Sequence, residues 1–186
     1  MNKFAVLFII CAIAAGSANA NWADVEPYCY FPDKYPVSMH QRTVPVDLNL
    51  YSGVWYEIVR KPMVQQTGCV CTQAEYTLSE DQRQVKVQNT CITAEGRQIN
   101  IEGYAVPANQ YHTRLNVYFR PNSPGEYWIL DIDENYQWVI VGEPCKKSGW
   151  VLSRTKTMDP ELLQQKIQTL AAKGYDVSNL ISRGNC

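Results

Sequence analysis

The chain has 186 residues, with 17 basic and 18 acidic side chains and a net charge of −1. It carries no basic block, which argues against nucleic acid and anionic membrane surfaces as partners. Its two histidines, His40 and His112, flank no cysteine, so neither a zinc centre nor Ser-His-Asp or Cys-His hydrolytic machinery is indicated, and no metal or cofactor is expected.

The first element is a leader. Residues 1–20 carry Lys3, an apolar run from Phe4 to Ala15 and the small-x-small ending Ala18-Asn19-Ala20, so cleavage before Asn21 and secretion are expected. The run is shorter than the roughly 20 apolar residues of a spanning helix, and no second apolar segment follows, so no transmembrane segment is expected. Cys11 follows Phe8-Ile9-Ile10, without the small residue that lipid attachment requires. Residues 21–186 then form one domain with six cysteines, at 29, 69, 71, 91, 145 and 186. An even count in a secreted chain reads as disulfides, although composition alone does not choose among the pairings.

Residues 21–50 read as an irregular strap. After it, period-two alternation gives eight strands, at 54–61, 71–78, 84–93, 98–106, 113–120, 126–132, 136–142 and 149–155. The links between them are short and rich in turn formers, which implies antiparallel neighbours in sequence order. A helix follows over 159–173, with Asp159 as cap, Pro160 at its first position and Gly174 as its stop. Leu163, Ile167, Leu170 and Ala171 make its apolar stripe, which suits packing on a sheet. Its polar face is not basic, so peripheral membrane contact is disfavoured.

Eight such strands can form a two-sheet sandwich or an up-and-down barrel. Alternation up and down brings Gly53 and Trp55, the turn of Asp133 and Tyr136, and Ser153-Arg154 to one end. There an arginine over an indole would make a cation–π contact.

Three segments, Gly53-Val54-Trp55-Tyr56-Glu57-Ile58, the turn from Asp133 to Tyr136, and Trp150-Val151-Leu152-Ser153-Arg154-Thr155, resemble the three lipocalin motifs in order. Tyr127-Trp128-Ile129-Leu130 and Ala172-Lys173-Gly174-Tyr175-Asp176-Val177-Ser178 are similar to the apolipoprotein D-like, bacterial and insect bilin-binding branch. Ile132 stands where that family usually has threonine. The resemblance implies an all-β protein, an eight-stranded antiparallel up-and-down barrel with one C-terminal helix packed outside. It also implies disulfides Cys29–Cys145 and Cys71–Cys186, which leaves Cys69 for Cys91.

Such a barrel holds one small ligand and opens opposite its floor. Period two places Glu57 and Val59 inward on the first strand, and Ala74, Tyr76, Val87, Asn89, Ile101, Gly103 and Ala105 on the next three. Leu115, Val117, Phe119, Tyr127, Ile129, Val139, Val141, Trp150 and Leu152 complete the lining. Of these, Val59, Tyr76, Val87, Asn89, Ile101, Gly103, Val117, Phe119, Tyr127, Ile129, Val139, Val141 and Trp150 are the candidate ligand contacts. Gly103 and Ala105 leave volume inside, and Glu57 is expected to bond to a neighbour near the floor. The expected function is a secreted carrier of a fatty acid, lysophospholipid, sterol, retinoid or pigment, without catalysis. The competing readings are a lipocalin-type isomerase or de-epoxidase, and a module that binds protein through its open-end loops.

Overall fold

The computed structural model describes residues 44–185. The leader, its cleavage site, Cys11, Cys29, Cys186 and residues 21–43 of the strap lie outside the described residues. The last part of the strap is not irregular. It closes in a helical turn, α1 (Leu48–Tyr51), capped by the Asp47 carboxylate, which accepts from the Asn49 amide at 2.8 Å.

Among the described residues nine strands follow: β1 (Gly53–Arg60), β2 (Cys69–Leu78), β3 (Val85–Thr93), β4 (Gln98–Pro107), β5 (Arg114–Tyr118), β6 (Pro124–Ile132), β7 (Trp138–Gly142), β8 (Gly149–Ser153) and β9 (Ile181–Ser182). The first eight match the expected strands to within two residues at each end. β2 through β8 pair in sequence order, β8 pairs with β1, and β1 pairs back to β2, so the sheet closes into an antiparallel barrel.

Closure between β1 and β2 covers only one end. Gly53–Tyr56 pair with β2, after which the strands part and β9 takes the vacated edge of β1 at Val59 and Arg60. The tail stitches the seam further: the Arg183 amide donates to the Ile58 carbonyl at 2.8 Å, and the Gly184 amide to that of Val70 at 2.7 Å. The backbone groups that β1 and β2 cannot give each other are satisfied by the chain's own C-terminal segment.

A β-bulge in β1 corrects one expectation. Glu57 faces Leu152 and Val59 faces Val151, so two steps on β1 match one on β8. The extra residue reverses the alternation. Val59 therefore turns outward, into a cluster with Ile58, Val151, Leu163 and Ile167, and is no lumen contact. Arg60, opposite Trp150, turns inward in its place.

The helix α2 (Pro160–Ala172) starts where Asp159 accepts from the Glu161 and Leu162 amides. Leu163 and Ile167 cover the β1–β8 wall, and Leu170 packs with Trp128, Leu130 and Ile140. Ala171, assigned to the stripe from its spacing, is exposed. Lys166 Nζ stands 3.7 Å above the Trp138 ring, so the polar edge of α2 is also engaged.

Gly103 does not contribute free volume. A Cβ there would lie 2.3 Å from the Tyr118 carbonyl oxygen and 2.8 Å from the Phe119 ring. The missing side chain lets β4 and β5 approach closely, and Phe119 fills the space. Gly103→Val is expected to lower the unfolding free energy by about 1–3 kcal/mol through overpacking, checked by urea denaturation.

Cys69 and Cys91 form a disulfide across the β2–β3 pair. Cys71 and Cys145 are each disulfide-bonded as well. The partners that the resemblance implied for them, Cys186 and Cys29, lie outside the described residues.

Candidate functional site

The lumen is built from the floor upward. Arg154, one residue past β8, lies 3.8 Å over the Trp55 ring. Its Nε donates to the Tyr136 carbonyl, its Nη1 to that of Val54, and its Nη2 to those of Leu50, Tyr51 and Ser52. Trp55 donates from Nε1 to the Tyr51 carbonyl at 2.8 Å. One guanidinium thus ties α1 to the start of β1 and to the β6–β7 turn. Gly53 has φ +97° and would bring a Cβ to 3.3 Å from Arg154 Nη1, so glycine is required by both backbone and space. The Asp133 carboxylate accepts from the Asn135 and Gln137 amides and shapes the turn. Tyr136 accepts at its hydroxyl from the Asp47 amide.

Above this floor sit three tyrosines. Tyr51 stacks on Tyr76 with ring centroids 5.6 Å apart. The Tyr127 hydroxyl meets that of Tyr51 at 2.6 Å and that of Tyr76 at 3.1 Å. Three hydroxyls supply three protons, and two contacts consume two, so one O–H remains to donate. Burial is the largest cause pushing all three hydroxyls well above the ordinary tyrosine range. On raising the pH beyond the usual value of 10.0, the unfolded chain releases protons that the native barrel keeps, so stability should fall. An alkaline absorbance titration is expected to show these tyrosines ionising only as the protein unfolds.

The middle of the lumen is apolar. Val87, Ala105, Leu115, Ile129, Val139, Val141 and Leu152 form one buried cluster, with Ala74, Val117, Tyr127 and Trp150 packed against it. Val85 and Ile132, absent from the expected lining, belong to it too. Asn89 lies on the row of Trp55, Ala74 and Ile101, and its Oδ1 is buried without a hydrogen-bond partner among the described residues.

Toward the open end the lumen becomes polar. Arg60 Nη1 donates to Glu57 Oε1 at 2.8 Å, with both side chains 4% exposed. Arg60 Nη2 donates to the carbonyls of Gln66 and Cys69, while its Nε is buried without a partner among the described residues. Gln66, in a short 3-10 turn after β1, donates to Glu57 Oε2 at 2.7 Å and accepts from Trp150 Nε1 at 3.4 Å. Glu57 is thus bonded to neighbours as expected, but under the open-end turn rather than near the floor. Burial pushes its carboxyl above the usual range, against the pull of Gln66, Arg60 and Arg183. Ile101 and Phe119 stand at the rim, 48% and 38% exposed.

Of the expected contacts, Tyr76, Val87, Val117, Tyr127, Ile129, Val139, Val141 and Trp150 share the interior cluster. Asn89, Ile101 and Gly103 lie on its inward rows, Phe119 covers Gly103, and Val59 is outside. Sequence reasoning missed Tyr51, Arg60 and Gln66. No sequence signal pointed to Arg60, because alternation puts positions 57 and 60 on opposite faces and only the bulge brings both inward.

A closed antiparallel barrel with a tryptophan–arginine floor at one end and an apolar interior defines the class of this fold. Residues 46–185 match the family model of the lipocalin-like domain. Temperature-induced lipocalin-1 of Arabidopsis thaliana is 33% identical over 145 residues, covering 73% of this chain and 77% of that protein. Apolipoprotein D of Macaca fascicularis is 33% identical over 144 residues, covering 72% and 74%. The structure of insecticyanin from Manduca sexta superposes with a TM-score of 0.60 at 21% identity, covering 78% and 84%. The chain belongs to the lipocalin family, which is known for binding small hydrophobic ligands.

Proposed function

We propose that this lipocalin is secreted after loss of residues 1–20 and carries one small hydrophobic molecule in its barrel, for transport or sequestration and without catalysis. The observation that carries this reading is the interior lining from Val87 to Leu152, almost wholly apolar, above the tryptophan–arginine floor. Each methylene of ligand moved from water into such a lining contributes about 0.8 kcal/mol, so affinity needs no covalent bond. Tyr76, Val87, Asn89, Ile101, Val117, Phe119, Tyr127, Ile129, Val139, Val141 and Trp150 are the proposed contacts. Gly103 acts by admitting Phe119.

Ala74 provides the test, because it is partly buried on the lumen row beside Asn89 and a larger side chain there points into ligand space. Ala74→Phe is expected to weaken binding of an uncharged apolar fluorophore at least tenfold, about 1.4 kcal/mol, while the folded spectrum is retained. Unchanged binding in a folded variant would place the ligand outside the barrel.

A further inference from the structure

Among the inward rows of the described residues, Glu57 and Arg60 are the charged side chains, and they neutralise each other at 2.8 Å. The lumen is therefore uncharged as a whole, yet it holds polar groups with unused capacity. Among the described residues, Arg60 Nε is a buried donor without a partner on a side chain 4% exposed, and Asn89 Oδ1 is a buried acceptor without one. The tyrosine cluster keeps one further O–H to give. We infer that the barrel selects uncharged lipids bearing a hydroxyl, ketone or ester oxygen, and discriminates against carboxylates of the same chain length. This inference rests on the carrier reading and narrows it toward sterol-like and retinol-like molecules, away from fatty acids.

The physical reason lies in the count of charges. An acceptor oxygen on Arg60 Nε fills a vacant hydrogen bond and changes no charge balance. A carboxylate at the same place brings a second negative charge to an arginine already paired with Glu57. The barrel interior would then hold one uncompensated anion, whose desolvation is not repaid. The other cations are already engaged: Arg183, whose charge reaches Glu57, donates to the Thr72 carbonyl and lies 5.2 Å over the Tyr56 ring. Arg114 lies 4.4 Å over the Trp128 ring on the outer face, and Arg154 is spent on carbonyls of the floor. Lys61 donates to the Asp176 carbonyl on the outside of the barrel. A ligand hydroxyl, in contrast, can donate to Asn89, or accept from Arg60 or from a tyrosine.

The test uses the full mature chain and displacement of uncharged N-phenylnaphthylamine by palmitate, methyl palmitate and the matching alcohol, at a pH where the acid is ionised. The expected result is that the ester and the alcohol displace the probe at concentrations at least about tenfold below palmitate. Glu57→Gln leaves Arg60 uncompensated, and the acid-to-alcohol ratio should then shift by about tenfold in favour of the acid. Where that variant does not fold, Glu57→Gln combined with Arg60→Met keeps the lumen neutral, and it should retain the preference for the uncharged ligands. Palmitate binding as tightly as the alcohol in the wild-type protein would overturn the inference and leave the carrier reading intact. Failure of the probe and of all three lipids to bind would instead sink the carrier reading, and this inference with it.

Discussion

Arg154→Ala is expected to lower the unfolding free energy by about 2–4 kcal/mol, combining a lost cation–π contact of up to about 2 with charge-assisted hydrogen bonds of about 1.5–3. Five carbonyls, from Leu50, Tyr51, Ser52, Val54 and Tyr136, lose their common donor in one step. Trp55, fully buried beneath the guanidinium, is uncovered at the same time. Lysine is no substitute, because a point charge cannot reach carbonyls on three segments as a planar fork does. Arg154→Lys should fall between alanine and wild type in chemical denaturation. Relative affinities among ligands should be unchanged in both variants, since the floor closes the barrel without touching the mouth. A loss of affinity for one ligand with stability preserved would contradict this.

Arg60→Met is expected to cost about 3–5 kcal/mol at neutral pH, because it strands Glu57 as a buried charge. The destabilisation should depend on pH in a defined direction. Burial already raises the native Glu57 carboxyl above its unfolded value of 4.5. A carboxyl raised in the native state costs stability above its native value, and the cost disappears as pH falls below the unfolded value. The deficit of Arg60→Met should therefore shrink as the solution is acidified through that window. Adding Glu57→Gln should recover most of the loss at neutral pH, a coupling readable by a double-mutant cycle. Equal costs for the single and double variants would mean that the pair is not the source of the instability.

The difference between what was legible and what was not follows the reach of each signal. Period-two alternation is local and strong, so eight strands were readable, and Tyr76, Val87, Val117 and Tyr127 were assigned to the inward face on which they sit. The Gly53–Trp55 and Arg154 motifs were readable as neighbours because strand counting alone brings them to one end. Val59 was misplaced because alternation assumes an unbroken register, and the bulge after Glu57 is set by pairing with β8 and β9. The same bulge hid Arg60, the most consequential polar group of the site. Tyr51 escaped because α1 is a single turn, too short for a periodic signal, and its hydroxyl matters only through contacts with β2 and β6. Gly103 was read as empty space because a sequence shows the missing side chain but not the Tyr118 carbonyl and Phe119 ring that occupy it.

The three strata of the lumen divide the labour. In the proposed carrier the floor holds shape, the apolar middle supplies affinity, and the Glu57–Arg60–Gln66 network with Asn89 sets which polar groups are admitted. Native mass spectrometry of the protein purified from its own source, followed by organic extraction of the bound material, tests this most directly. The account predicts one apolar small molecule per chain, released on unfolding. Chains that are uniformly empty, and that stay empty after incubation with uncharged lipids, would contradict it.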